Sequence, residues 1–192
     1  MTIPFKVKLL TNTAKAPERA NEGDLWDLFA DDFCAHNLRL DLYYLDCDDI
    51  NHYKYDSQNK CELYPKGRIL VKTGIALELP VKLNYGWEFF SNDPYLGQGS
   101  HSIIGYAVAD LRPRSGLAIK NGLTVLNTPG TIDNSYRKEI GVILYNAGHG
   151  PYTISKGDKI CQMLIRPLYP SKMEIVKDIK DTGRGAYGST GK

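Results

Sequence analysis

The sequence predicts an all-β protein of the sandwich, jelly-roll or barrel kind. Three observations carry that expectation. No long stretch sustains the apolar period of about 3.6 residues that an amphipathic helix requires. Short runs rich in β-branched and aromatic residues recur in its place. These runs are divided by Gly, Pro, Asn and Asp, and with 18 Gly and 10 Pro in 192 residues, turns are frequent enough to separate many short strands.

In chain order, strands are expected at residues 5–10, 68–79, 102–111, 122–126, 136–145 and 159–168. One helix is expected at 22–30, where Asn21 can cap the first turn. Two segments read as insertions. Residues 31–66 are rich in Asp, Tyr and Asn, and residues 84–101 carry the turn chemistry of Asn84-Tyr85-Gly86 and Ser91-Asn92-Asp93-Pro94. Residues 1–168 thus form one β domain. Residues 169–192, Gly- and Lys-rich and unable to pack alone, form a flexible arm suited to ordering over a ligand.

Composition bounds the function classes. Lys plus Arg number 24 against 22 for Asp plus Glu, a net charge of +2, which excludes wrapping nucleic acid by charge alone. No apolar run approaches the roughly 20 residues of a membrane span, and no apolar stretch follows the first lysines as in a signal peptide. A soluble, cytoplasmic protein is expected. Cys34, Cys47, Cys61 and Cys161 form no Cys-x-x-Cys pair, and Cys34/His36 with Cys47/His52 only faintly resembles zinc spacing. Reduced thiols are expected.

Five segments could carry chemistry. In Pro113-Arg114-Ser115-Gly116-Leu117-Ala118, Arg114 offers a fork of donors for phosphate, Ser115 a hydroxyl, and Gly116 close approach of backbone amides. A plain surface turn reads the same residues equally well. Residues 127–137 read as a hairpin whose backbone amides and carbonyls can pair with the polar edge of a planar base. Tyr136 offers a ring face and Asp133 can polarise water, although Asp133 and Asn134 also suit a turn. Gln162 interrupts an apolar alternation, so it either pairs in the core or reaches a ligand. The tail from Gly183 to Lys192 resembles a phosphate cradle without being a Walker loop. Asp24 and Asp27 could hold Mg²⁺ or form a solvated acidic face.

Taken in order, these segments resemble the five motifs of the trimeric dUTP diphosphatase (dUTPase) family, over a framework from about Lys6 to Lys192 that omits the insertions. The specific signals are Pro-Arg-Ser-Gly-Leu-Ala, Gly-Thr-Ile-Asp-x-x-Tyr-Arg and Tyr-Gly-Ser-Thr-Gly. The resemblance implies a β-clip, or distorted jelly-roll barrel, assembled as a homotrimer with sites shared between chains. It implies hydrolysis of dUTP to dUMP and pyrophosphate with Mg²⁺ as cofactor. By the same resemblance, Asp27 serves the metal, through water, and Arg114, Ser115, Gly116 and Gln162 contact phosphates. Asn127 and the Gly130-Thr131-Ile132 backbone would line the uracil pocket, Tyr136 would lie beneath deoxyribose, and Asp133 would orient the attacking water. Tyr187 would stack on uracil, with Gly188, Ser189 and Thr190 near the γ-phosphate.

The pattern also departs from the family. Asp24-Leu25-Trp26-Asp27-Leu28 lacks the usual glycine turn before the aspartate, and ungapped alignment puts Thr182, not Arg184, at the arginine position of the last motif. The related dCTP deaminases place a catalytic glutamate near Ile143, where this chain has no acid. A third reading is a dUTPase-like scaffold that docks a protein partner through its insertions.

Overall fold

The computed structural model describes residues 3–33, 53–55, 60–90, 98–181 and 183. Within them, β1 (Lys6–Leu9), β2 (Trp26–Phe29), β3 (Asp32–Phe33), β4 (Tyr53–Tyr55), β5 (Lys60–Leu63), β6 (Arg68–Lys72) and β7 (Ile75–Glu78) come first. A long pair follows, β8 (Leu83–Phe90) and β9 (Gln98–Arg112), then α1 (Ser115–Asn121). The chain closes with β10 (Leu123–Val125), β11 (Gly130–Ile132), β12 (Gly141–Asn146), β13 (Tyr152–Ser155) and β14 (Lys159–Leu168). The all-β expectation holds.

Two larger sheets carry much of the core, to which the β13-β5-β4 sheet adds Cys61, Leu63 and Ile154 and the β1-β7 pair adds Ile75 and Leu77. Of the larger two, one runs β11-β9-β14-β2, with β8 extending β9 as a ribbon, and the other runs β10-β12-β6-β3. Their inward positions alternate, as a half-buried strand requires. On β12, Val142, Leu144 and Asn146 are buried while Gly141, Ile143 and Tyr145 are less so. Leu28, Val71, Ala109, Leu111, Val142, Leu144 and Met163 from both sheets meet in one apolar cluster. Each such leucine contributes about 1.5–3 kcal/mol on burial. The one polar intruder on β12, Asn146, is satisfied: its Nδ2 donates to Leu63 O at 2.8 Å and to Gly150 O at 2.9 Å, and its Oδ1 accepts from Gly148 N at 2.8 Å.

The helix expected at 22–30 is a strand. Leu25, Trp26, Leu28 and Phe29 recur at helical spacing as well as in a short apolar run, and pairing with β14 decides between them. Asn21 and Asp24 form a turn ahead of it, the Asp24 carboxylate accepting from Asn21 N at 2.8 Å and Asn21 Nδ2 at 3.0 Å. The expected strand 68–79 breaks at Gly74, whose φ of 66° sends β6 and β7 into different sheets. The expected strand 136–145 begins only at Gly141, because Tyr136 N donates to Asp133 O at 3.0 Å and closes a turn. The unexpected helix α1 has seven residues and buries none of them, so no apolar period announces it. It stops at Gly122, with φ 70°, whose N–H bonds back to Ala118 O at 3.0 Å.

The segment 31–66 is not wholly peripheral. β5 pairs with β13, and Cys61 and Leu63 lie fully buried in the core. Residues 84–90 and 98–101 lie in the β8–β9 ribbon, in register from Leu83↔Gly105 to Phe90↔Gln98. The zinc-like residues Cys34, His36, Cys47 and His52 lie outside the described residues.

Candidate active site

Asp27 anchors the site. The register Gln162↔Asp27 and Gln162↔Arg112 aligns β2, β14 and β9 in one row, and the chain then turns through Pro113 into Arg114. Three donors consequently converge on one carboxylate. Lys159 Nζ lies 3.0 Å from Asp27 Oδ2, and Gln162 Nε2 lies 3.3 Å from Oδ1. Arg114 Nε lies 3.2 Å from Oδ1, within charge range but not aligned to donate. Arg114 Nη1 donates to Lys159 O at 3.3 Å, tying one cation's side chain to the other's backbone. With Asp27 only 12% exposed at its side chain, the pairs are stronger than surface ion pairs. The mostly exposed Glu18 carboxylate, 3.8 Å from Lys159, adds little.

The charge balance decides what this cluster attracts. Two cations face one buried carboxylate, and both Arg114 and Lys159 keep about a third of their side chains open to solvent. An incoming anion meets the surplus. Ser115 and Gly116, at the start of α1, are exposed beside it. Sequence reasoning misses Lys159, because residues three apart on a regular strand face opposite sides and only the bulge between Lys159 and Cys161 lets it share Asp27 with Gln162. Asp24, by contrast, is exposed and spent on its own turn.

Burial pushes the Cys161 thiol, next to this cluster, up to about 12, helped by the Asp27 charge and opposed by Arg114. Cys61 is raised likewise to about 12 by burial and by Glu62. Neither is a nucleophile near neutral pH.

The hairpin forms a second group. β11 pairs with β9 through Gly130↔Leu111, Thr131↔Asp110 and Ile132↔Ala109, after a cis Thr128–Pro129 peptide. A Cβ on Gly130 would come within 3.3 Å of Asn127 Nδ2, so the absent side chain lets Asn127 fold over the strand. Asp133 is exposed just past β11. Asn134 Nδ2 donates to Pro80 O at 2.7 Å and Ala107 O at 3.1 Å. Tyr136 Oη donates to Glu139 O at 2.9 Å, which fixes the ring's tilt. Arg137 donates to Asn134 O and, at 3.0 Å, to Tyr136 O.

The two groups do not meet through the sheet. Strands β9 and β14 separate β11 from β2, a span of roughly 14 Å at normal strand spacing. Ile132 also lies about 10 Å along the strands from the Asp27 row. The sequence resemblance assigns these residues to one site, whereas within one chain the cluster and the hairpin stand apart. Arg184, Tyr187, Gly188, Ser189 and Thr190 lie outside the described residues.

Nor does Asp27 fit a directly bound metal. Its oxygens already face Lys159, Gln162 and Arg114, and no group of three His, Cys, Asp or Glu among the described residues could hold an ion. A cavity of about 540 Å³ lined by Phe5, Arg19, Asp24, Trp26, Met163 and Ile165 opens beside β2, but neither Asp27 nor any candidate phosphate or base contact lines it.

The structure is thus a β fold with a cationic cluster around Asp27 at one sheet edge and the β11 hairpin at the other, an arrangement whose charge suits an anionic ligand. Comparison with known proteins narrows this. The dUTPase family profile matches residues 103–191. The deoxyuridine 5'-triphosphate nucleotidohydrolase of Clostridium tetani is 36% identical over 190 residues, covering 98% of this chain and 97% of that protein. Its counterpart from Alkaliphilus metalliredigens is 37% identical over 189 residues, 97% and 96% of the two chains. The chain belongs to the dUTPase family. Among solved structures, the Staphylococcus bacteriophage 80alpha dUTPase with dUpNHpp shares the fold with a TM-score of 0.64 at 22% identity, covering 99% of each chain. The dUTPase of phage phi11 of S. aureus, described with a structural Mg(II) ion, has a TM-score of 0.59 at 20% identity over 91% of this chain and 97% of that one.

Proposed function

We propose that the protein hydrolyses dUTP to dUMP and pyrophosphate, lowering dUTP and supplying dUMP for thymidylate synthesis. The observation that carries this reading is the Asp27 cluster. It spends one carboxylate to orient Arg114, Lys159 and Gln162, and it leaves net positive charge beside the exposed Ser115. A triphosphate satisfies that surplus where a neutral ligand would not. Phosphoryl transfer asks chiefly for in-line placement and for neutralisation of charge spread over oxygens.

The residues divide the work. Arg114, Ser115, Gly116, Lys159 and Gln162 bind the phosphate chain. Asn127 and the Gly130-Thr131-Ile132 backbone hydrogen-bond the uracil edge, and Tyr136 packs beneath the deoxyribose, where a 2′-hydroxyl would collide. The Asp133 carboxylate accepts a hydrogen bond from a water and aims its oxygen at the α-phosphorus. The new bond joins the water oxygen to phosphorus, a water proton passes to the Asp133 carboxylate, the bond to the bridging oxygen breaks, and pyrophosphate leaves. Mg²⁺, carried on the triphosphate and reached by Asp27 only through water, would neutralise phosphate charge. Arg184, Tyr187, Gly188, Ser189 and Thr190 of the arm would close over the nucleotide and exclude water.

Membership of the dUTPase family favours a homotrimer as the working unit, and the separation of the two groups in one chain suits a site in which the hairpin of one copy faces the Asp27 cluster of another. The deaminase alternative lacks its acid, since Ile143 pairs with Leu70 in the middle of the β12–β6 ladder. The test is a panel of dUTP, dTTP, UTP and dCTP followed by pyrophosphate release, with and without Mg²⁺. Fast, metal-dependent release from dUTP is expected, with far slower release from the other three nucleotides. Ammonia from dCTP, or no pyrophosphate from dUTP, would overturn the reading.

A further inference from the structure

One ion pair, between a buried carboxylate and a partly exposed arginine, lies outside both the Asp27 cluster and the hairpin. Asp110, in β9, has a side chain only 2% exposed. Arg166 Nε donates to its Oδ2 at 2.6 Å, and Arg166 Nη2 reaches Oδ1 at 3.4 Å. Thr131 Oγ1 donates to Oδ1 at 2.8 Å, and Arg112 Nη2 stands 3.9 Å from Oδ2. A buried charge costs heavily unless paired, and well-packed apolar residues of the same volume often stabilise as much. Core stability alone therefore does not call for this group. Its partners say what it does.

Thr131 is the central residue of β11, a three-residue strand at the sheet edge that pairs with β9 alone. So short a strand has few backbone bonds to hold it, and the Thr131–Asp110 bond is a sizeable share. On the other side of Asp133, Asn134 is bonded to Ala107 O, again on β9. Asp133 thus stands between two pins on one strand. Arg166, from β14, clamps the first pin from behind.

We infer that Asp110 is a positioning residue: held by Arg166, it fixes Thr131 and so sets the aim of Asp133 and of the base-facing backbone at 127–132. This inference rests on the dUTP-hydrolysing reading and names a determinant of its specificity. A loosened hairpin would recognise the base edge less well, so selectivity falls as well as rate.

The test compares Asp110→Ala, Thr131→Val and Asp110→Asn with the parent, taking kcat/KM for dUTP over dCTP as the readout. That ratio does not depend on the fraction of enzyme that is folded, so a merely structural role leaves it unmoved. Asp110→Ala and Thr131→Val should each raise KM for dUTP and lower the ratio by about tenfold, and the double variant should be no worse than either alone. Asp110→Asn, whose amide bonds Thr131 in either orientation, should stay within about threefold of the parent. Thr131→Val keeps the ion pair and shape, so it decides the matter even where Asp110→Ala fails to fold. An unchanged ratio and KM in folded Thr131→Val would overturn the inference while parental dUTP hydrolysis stands. A parent that leaves dUTP intact would overturn the underlying reading, and this inference with it.

Discussion

Asp27 and Asp110 show how burial and partners give two carboxylates different work. Asp27 faces two cations with spare donors and leaves an excess of positive charge. Asp110 is used up within the sheet. Burial pushes its pKa upward, but hydrogen bonds from Arg166 and Thr131, with the charges of Arg166 and Arg112, outweigh that and bring it below the ordinary 3.8. A group with a depressed folded pKa lends stability above its unfolded value and loses it as pH falls through the folded one. Acid titration from neutral pH should therefore show parental stability falling below pH 3.8, and a shallower fall in Asp110→Asn. Identical acid slopes, followed by circular dichroism, would contradict the pairing. At this scale the sequence is informative where side-chain chemistry is distinctive. Arg114, Asp133 and Gln162 stand out because a charge or amide interrupts a turn or an apolar run. Lys159 and Asp110 do not, because lysine beside a turn and aspartate in a strand look ordinary until the β14 bulge lets Lys159 reach Asp27 and the β11–β9 register sets Asp110 against Thr131.

Among the elements, the glycines at positive φ control where strands end and which sheet the next one joins. Gly122 closes α1 at φ 70°, and a Cβ there would stand 2.4 Å from Gly148 N and 2.7 Å from Gly148 Cα. Both are backbone atoms that cannot swing aside. Gly122→Ala should cost about 2–5 kcal/mol, from left-handed backbone plus overpacking, as a lower urea midpoint with an unchanged slope at fixed protein concentration. A loss under about 0.5 kcal/mol would mean that the α1–β10 junction yields easily. The elements legible in sequence are those with long apolar alternation, above all β14, whose expected and observed bounds agree at 159–168. β2 misleads because Leu25, Trp26, Leu28 and Phe29 fit helical spacing as well as a short apolar run, and α1 escapes because a surface helix of two turns needs no apolar face. β5 is masked by the polar segment before it, although Cys61 and Leu63 are core residues.

For the molecule as a whole, the sheet keeps the anion cluster and the hairpin apart, while sequence order makes them look like one site. Linear order carries no information about whether the two groups meet within one chain or between chains. The arm adds to the sense of an incomplete single chain: Met173, Ile175 and Ile179 are each more than four-fifths exposed. Apolar side chains in such an arm suit packing on a neighbour. The direct measurement is complementation. Arg114→Ala disables the cluster and leaves the hairpin intact; Asp133→Asn does the reverse. Each variant alone should release almost no pyrophosphate from dUTP. Unfolded together in equal amounts and refolded, they assort at random, and about a quarter of the sites should regain both intact halves, with that share of parental activity. Activity that stays at the level of the separate variants, in mixtures shown to be correctly assembled, would contradict a site shared between chains.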